Sequence, residues 1–432
     1  MENVCGVIDG LCGSIVLPKM YKVRQRLCDE NIAPAQIPQT VRAELMRSGF
    51  QSRIHAGHRI AITCGSRGVA NIALIIRSIV EFVKEHGADP FVFPAMGSHG
   101  GATAEGQRAI LESYGVTEAF IGCPIRATMQ TVCIGTTEEG LPVFIDRFAS
   151  EADGIILCGR VKAHTGFRGP YESGLMKMAV IGMGKQHGAE TVHESGFANL
   201  GRILPQVGNV ILKNAPVIGG LAIIENAFDQ TNRIEAVLCE DIPTREPELL
   251  AEAKEKMGRL FLNRADVLVV DQIGKDISGD GMDPNITGTY ADPSIMNVQP
   301  NEFYAQRIAV LDLTDASHGN YTGVGMSNVT TKRLIQKAIP ELTYPNSITS
   351  TVLCEIKIPL TAENDRQAVQ VCVQTCNGID KKNPKIIRIH NTADIGTILV
   401  SEALLSECIG SENLEVQSGA ADWEFDKNGN LF

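Results

Sequence analysis

Short apolar runs alternate with helical periods along this chain. GHRIAITCGSRG, starting at residue 57, is an apolar run closed by a Gly/Ser loop, and NIALIIRSIVEFVKEHG behind it carries apolar residues at helical spacing up to Gly87. A second run at 90–96 closes on GSHGG, 103–114 reads as a helix stopped by Gly115, and ADGIILCG (152–159) reads as a third buried strand. Strands that are apolar throughout and alternate with helices predict an α/β fold, with a mostly parallel sheet covered on both faces and right-handed crossovers.

The same signal resumes at residue 265. ADVLVVDQIG follows the charged helix REPELLAEAKEKMGRLF, and after it come FYAQRIAVLDLT, a helix around 331–337, the apolar run STVLCEIKIPL, a helix at 364–376 and the strand PKIIRIHN. The pattern predicts two α/β domains, 1–262 and 263–432, with the active site in the cleft between them. The acidic stretch 411–432 reads either as a surface tail or as a strand returning to the first domain.

Composition removes several function classes. Lys plus Arg is 39 against 50 Asp plus Glu, a net charge of −11, which repels phosphate backbones and argues against nucleic acid as a partner. No stretch reaches the roughly 18 uninterrupted apolar residues of a membrane span, and MENVCGVIDG lacks the basic-then-apolar order of a signal peptide. The 12 cysteines contain no C-x-x-C pair, which speaks against a zinc ribbon and for a reducing compartment, the cytoplasm.

In open α/β sheets ligands collect at the carboxyl ends of strands, and three strand-end loops carry unusual polar content. In the first, Cys64-Gly65-Ser66-Arg67-Gly68, the glycines permit close backbone approach to a ligand, Gly65 and Ser66 are candidates to line a cofactor, and Arg67 supplies a planar fork for carboxylate or phosphate; the plain alternative is a tight turn with a solvated Arg. In the second, His99 stands among glycines and faces the loop mouth. The third, RVKAHTGFRGPYESGLMKMAVIGMGKQHGAETVHESG, holds His164, Lys177, Lys185, His187 and His193 among seven glycines, a density that reads as backbone packed against a bound group. His187 and His193 are not at the i, i+4 spacing of a zinc helix and no carboxylate cluster accompanies them, so a metal held by protein alone is not supported. One His per metal suffices only where a cofactor brings the other ligands.

These residues resemble the nickel-dependent lactate racemases and their 2-hydroxy-acid racemase and epimerase relatives. In that family an Arg follows the first strand, a His lies in the next strand-end loop, a second His follows a later strand, a Lys anchors the cofactor and a further His sixteen residues on ligates nickel. The series falls here on Arg67, His99, His164, Lys177 and His193, and 193 − 177 = 16. The resemblance implies a nickel-pincer nucleotide, made by dedicated biosynthesis enzymes, with Lys177 as tether, His193 as nickel ligand, His99 and His164 as paired acid–base groups and Arg67 on the substrate carboxylate. Hydride would leave C2 of a 2-hydroxy acid and return on either face of the 2-oxo acid.

The chain also departs from the family pattern. The segment from His164 to Lys177 is three residues longer and adds Arg168, Tyr171 and Glu172, which makes Lys185 a second candidate beside the cofactor. In the second domain Gln272 and Lys275 have the family's spacing of three, while DGMDPNITG, with Asp283 and Asn285, aligns as well. The only Trp is Trp423 in the tail, so no aromatic answers the one beside the lactate methyl. These polar additions point to a sugar acid such as gluconate as preferred substrate, with lactate or another short hydroxy acid behind it. A non-catalytic binder of an acidic small molecule remains a different class; a hydrolase built on His99 and His164 lacks a nucleophile.

Overall fold

The computed structural model describes residues 4–66, 68–291 and 303–432. Contacts divide the chain into two units, Cys28–Met257 and a second made of Met1–Leu27 with Gly258–Phe432. The sequence pattern counted the first 27 residues with the N-terminal half and placed the boundary after 262. The difference has a simple cause: strand β1 (Met20–Gln25) pairs antiparallel with two strands close to the C-terminus, an association no local pattern announces.

The unit Cys28–Met257 contains β2 (Arg59–Cys64), β3 (Asp89–Pro94), β4 (Thr131–Thr136), β5 (Pro142–Asp146), β6 (Gly154–Arg160), β7 (Val217–Glu225) and β8 (Thr231–Leu238). Five of them form a sheet in the order β3-β2-β6-β7-β8, parallel except for β8 at the edge, while β4 and β5 make a separate antiparallel pair. Successive side chains of a strand point to opposite faces, and here both faces are apolar. Ile60 and Ile62 of β2, Ile156 and Cys158 of β6, and Leu221 and Ile223 of β7 pack on one side with Ile75, Ile76 and Ile79 of the helix Ile72–Glu85. Ala61, Ile155, Leu157, Ala222 and Ile224 face the other side, against Leu204 and Ile211 of the helix Phe197–Asn214 and Leu249 and Leu250 of the helix Ile242–Lys256. This two-sided core explains why the strands read as continuous apolar runs.

The second unit continues with β9 (Arg264–Ile273), β10 (Tyr304–Leu313), β11 (Val329–Thr331), β12 (Leu360–Ala362), β13 (Ile386–Ile389), β14 (Thr397–Ser401) and β15 (Leu414–Val416). Its eight-stranded sheet runs β12-β11-β10-β9-β13-β14-β1-β15, parallel from β12 to β13 and antiparallel beyond. Both sheets are thus mostly parallel and the fold class is α/β. The acidic stretch supplies β15, and the residues after it are tied down: Trp423 Nε1 donates to Pro18 O at 2.8 Å, and Leu431 N donates to Asp365 Oδ2 at 2.7 Å. STVLCEIKIPL, expected as a strand, is instead the end of a helix, a 3-10 turn Leu353–Ile356 and only the first residue of β12. Leu353 and Ile358 stand exposed, and Pro359 lacks the N–H a ladder needs. Among the described residues no helix is long and apolar enough to cross a membrane.

Candidate active site

Strands β3, β2 and β6 lie side by side and parallel, so the loops that leave their carboxyl ends emerge on one edge of the sheet. In the loop after β2, Ser66 Oγ lies 2.5 Å from Nδ1 of His99 in the loop after β3, and Tyr114 OH donates to Ser66 O at 2.8 Å. Arg67, the expected carboxylate clamp, lies outside the described residues. Gly65, expected to approach a cofactor, is packed against protein: a Cβ there would meet Met178 Cε at 3.0 Å.

His99 is exposed on a backbone with left-handed turns at Gly97, Gly100, Gly101 and Ala102. A Cβ on Gly100 would sit 2.6 Å from Gln107 N, so only glycine fits there. Gln107, fully buried on the helix Ala104–Ser113, holds the loop from beneath: its Nε2 donates to Gly97 O at 2.8 Å and to His99 O at 3.2 Å.

His164 follows β6 and is half-buried, its ring 4.3 Å from that of Phe167. Gly166 N donates to His164 Nδ1 at 2.8 Å, which places the proton of the neutral ring on Nε2. The backbone is clamped on both sides. His164 N donates to Glu172 Oε2 at 2.7 Å, Arg168 donates to His164 O at 2.5 Å, and Lys254 Nζ lies 2.7 Å from Glu172 Oε1. Arg168 and Glu172, expected to meet a polar substrate, are buried partners of this backbone instead.

Lys177 ends the short helix Leu175–Lys177 and opens a π turn, Met178–Gly182, a feature frequent at functional sites. Its Nζ lies 5.7 Å from the centre of the Phe167 ring. His193 is the last residue of the helix Lys185–His193, and burial, then the nearby Lys177 charge, hold its imidazole below the ordinary value. His164 and Lys177 therefore share Phe167, and His193 lies within electrostatic reach of Lys177. Gly97 N donates to Gly182 O at 3.3 Å, which joins the His99 loop to the same π turn. His187 is elsewhere, exposed and stacked on Phe144 at 4.1 Å.

The donor set suits a metal that arrives with its own ligands. A neutral imidazole is the ligating form, it stands beside an amine, and among the described residues no group of three His, Cys, Asp or Glu comes together to hold an ion. Four of the seven glycines of this segment, whose density suggested backbone against a bound group, are closely packed against the chain itself. A Cβ on Gly174 would meet Glu246 Oε1 at 2.0 Å, on Gly182 Ala95 O at 2.7 Å, on Gly184 Val180 O at 2.5 Å and on Gly169 Gly201 Cα at 2.9 Å. Lys185, considered for the cofactor, is fully buried and bound to protein oxygens.

Two supporting residues escaped the sequence reading. Gln107 left a signal, a polar residue four before Leu111 on the buried face of its helix. Glu246 left none: it is the partner of a helix start seventy residues away, its Oε2 accepting from Met176 N at 2.8 Å while burial pushes its carboxyl up to about 8. In the other unit, Gln272 lies near the carboxyl end of β9 with its N–H on His390 O at 2.9 Å, and Lys275 Nζ donates to Gly279 O at 2.5 Å. Asp283 caps the turn Pro284–Thr287, its Oδ1 accepting from Asn285 N at 2.9 Å and Asn285 Nδ2 at 2.8 Å.

Comparison with known proteins bears on the fold and on the N-terminal segment. The structure is similar to that of the lactate racemase apoprotein from Thermoanaerobacterium thermosaccharolyticum, with a TM-score of 0.51 and 13% identity, covering 86% of this chain and 93% of that one, a likeness of fold. No curated protein matches the chain at a significant level. Residues 23–201 match the family model of the lactate racemase N-terminal domain. Over that segment, somewhat less than half of its length, the chain is similar to the lactate racemase N-terminal domain.

Proposed function

We propose that this protein is a racemase or epimerase that inverts C2 of a 2-hydroxy acid, with a nickel-pincer nucleotide held by Lys177 and His193. The observation that carries the reading is the meeting of two histidine loops with a Lys/His pair: the His99 loop rests on the π turn behind Lys177, and His164 shares Phe167 with Lys177. When bound, the pincer group supplies a reversible acceptor of hydride. The protein's own part is proton traffic and orientation. One imidazole takes the hydroxyl proton as the C2 centre is oxidised, the other returns a proton when the 2-oxo acid is reduced from the opposite side, and each exchanges roles in the reverse direction. The pincer-synthesis enzymes are the partners this reading requires, and the cytoplasm, which keeps the cysteines as thiols, is the compartment.

The sugar-acid preference loses its supports, because Arg168, Glu172, Asp283 and Asn285 all bond within the protein. A short 2-hydroxy acid such as lactate is therefore the first substrate to test. Protein produced together with the pincer-synthesis enzymes is incubated with lactate, and separately with D-gluconate, in deuterated water. The expected result is epimer formation from lactate with protium retained at C2, since hydride returns without mixing with solvent. Epimer formation from gluconate alone restores the sugar-acid reading. Deuterium at C2 overturns hydride transfer, and nickel-loaded protein inert towards both acids leaves a binder of acidic small molecules.

A further inference from the structure

Lys185 has an assignment other than the cofactor. Its side chain is wholly enclosed, its backbone is left-handed (φ 54°), and it opens the helix that ends in His193. Nζ donates to Pro94 O at 2.6 Å and to Gln107 Oε1 at 2.7 Å, with Asp146 Oδ2 at 3.4 Å. Asp146 uses its other oxygen to cap the turn at Phe148 N and Ala149 N, and Oδ2 has no hydrogen-bond partner beyond its proximity to Lys185. An ammonium has three N–H groups and no acceptor. Three oxygens surround this one, so neither a tether nor a ligand has an atom to engage.

The consequence falls on Gln107. A primary amide has a donor end and an acceptor end, and burial makes a wrong orientation expensive. With Oε1 committed to Lys185, Nε2 faces Gly97 O and His99 O; the reversed amide would set an oxygen against two carbonyls and an NH2 group against the ammonium. Pro94 ends the strand from which the loop departs. We infer that Lys185 is a positioning residue for His99: by fixing the Gln107 amide it anchors the loop carbonyls on either side of Ser98 and ties them to the end of β3. The inference rests on the proposed acid–base role of His99 for its importance, though not for its geometry.

Two variants test it. Gln107→Glu keeps an oxygen for Lys185 but loses the donor to the loop, and Lys185→Met combined with Asp146→Asn removes the pair at similar volume without leaving a buried unpaired charge. The first readout needs no cofactor: in ¹³C-histidine-labelled protein made without the pincer-synthesis enzymes, the His99 Cε1 resonance moves in both variants, amide exchange at residues 97–102 rises at least about tenfold, and the His164 resonance stays in place. In nickel-loaded enzyme kcat falls roughly ten- to hundredfold while KM stays within about twofold. Resonance shifts in an enzyme that is inactive even as wild type uphold the anchoring and reject the racemase reading. An unmoved His99 resonance in folded variants overturns the anchoring, whatever happens to activity.

Discussion

His99 stands exposed on a loop of left-handed turns, with its Nδ1 against a hydroxyl that can donate or accept. His164 sits half-buried, its Nδ1 committed as acceptor to Gly166 N and its backbone gripped by Glu172 and Arg168. The two supports also differ in kind: a neutral amide fixed by a buried lysine holds the first loop, a buried carboxylate between two cations the second. The contrast teaches that two imidazoles proposed for mirrored roles need not rest in mirrored states. His164 has its proton on Nε2 from the start. His99 can adopt the opposite tautomer whenever Ser66 accepts from Nδ1, which leaves its Nε2 lone pair open to take a proton. The resting pair then presents one hydrogen-bond donor and one acceptor to a substrate; to give up a proton a ring must first be charged, since the N–H of a neutral imidazole is too weak an acid to return one.

Removing either ring should give the largest effect. His99→Gln and His164→Gln each lower racemisation by roughly 10²–10⁴, and the half-reactions separate them. Single-turnover formation of 2-oxo acid from each enantiomer should show that a variant lacking one imidazole still oxidises the enantiomer served by the other. Equal loss on both enantiomers in both variants would break the picture of opposed faces.

The supports are compared by unfolding. Glu172→Ala leaves Arg168 and Lys254 facing each other without their shared carboxylate and should cost about 3 kcal/mol of stability. Gln107→Ala removes a neutral amide that donates to the loop and accepts from Lys185, and should cost about 2 kcal/mol. Denaturant midpoints read both; a Glu172→Ala loss no greater than that of Gln107→Ala would erase the distinction between charged and neutral anchoring.

How much of this was legible in the sequence follows from the range of the interactions. The β2, β3 and β6 strands and the helices between them were readable because apolar periodicity and stop residues are local, and the strand-end position of Ser66, His99 and His164 follows from them. The pairing of β1 with β14 and β15 joins residues almost four hundred apart and leaves no local mark. The glycines misled for a physical reason: a missing Cβ reports that something approaches the backbone, not whether it is a ligand or, as at Gly174 and Gly182, another part of the chain. Lys185 misled similarly. Its proximity to Lys177 in sequence says nothing of the oxygens waiting at Pro94, Gln107 and Asp146.

The Lys177 segment should also answer to pH through Glu246, which caps the turn that carries Lys177. Burial raises its carboxyl from 4.5 to about 8, so between those values the folded protein holds a proton that the unfolded chain has released. Folding therefore takes up a proton, and stability falls as pH rises through that window. From pH 5 to 7.5 the contribution is on the order of 2–3 kcal/mol. In Glu246→Gln, which keeps an acceptor for Met176 N and cannot ionise, most of that fall should vanish. Parallel slopes of stability against pH in the two proteins would show that Glu246 is ionised in the fold.

The smallest effect is expected at Ser66. Its hydroxyl holds the His99 ring by one hydrogen bond, and a single bond of this kind contributes about 1 kcal/mol, so Ser66→Ala should lower kcat/KM by roughly two- to tenfold. The ring can still reach the working tautomer without the hydroxyl, only less often, whereas the Nδ1 of His164 is fixed by a backbone N–H that no side-chain change removes. If Ser66→Ala instead lost as much activity as His99→Gln, the hydroxyl would be passing the proton itself. His99 would then be as fixed in its tautomer as His164, and the two loops would differ only in how they are held.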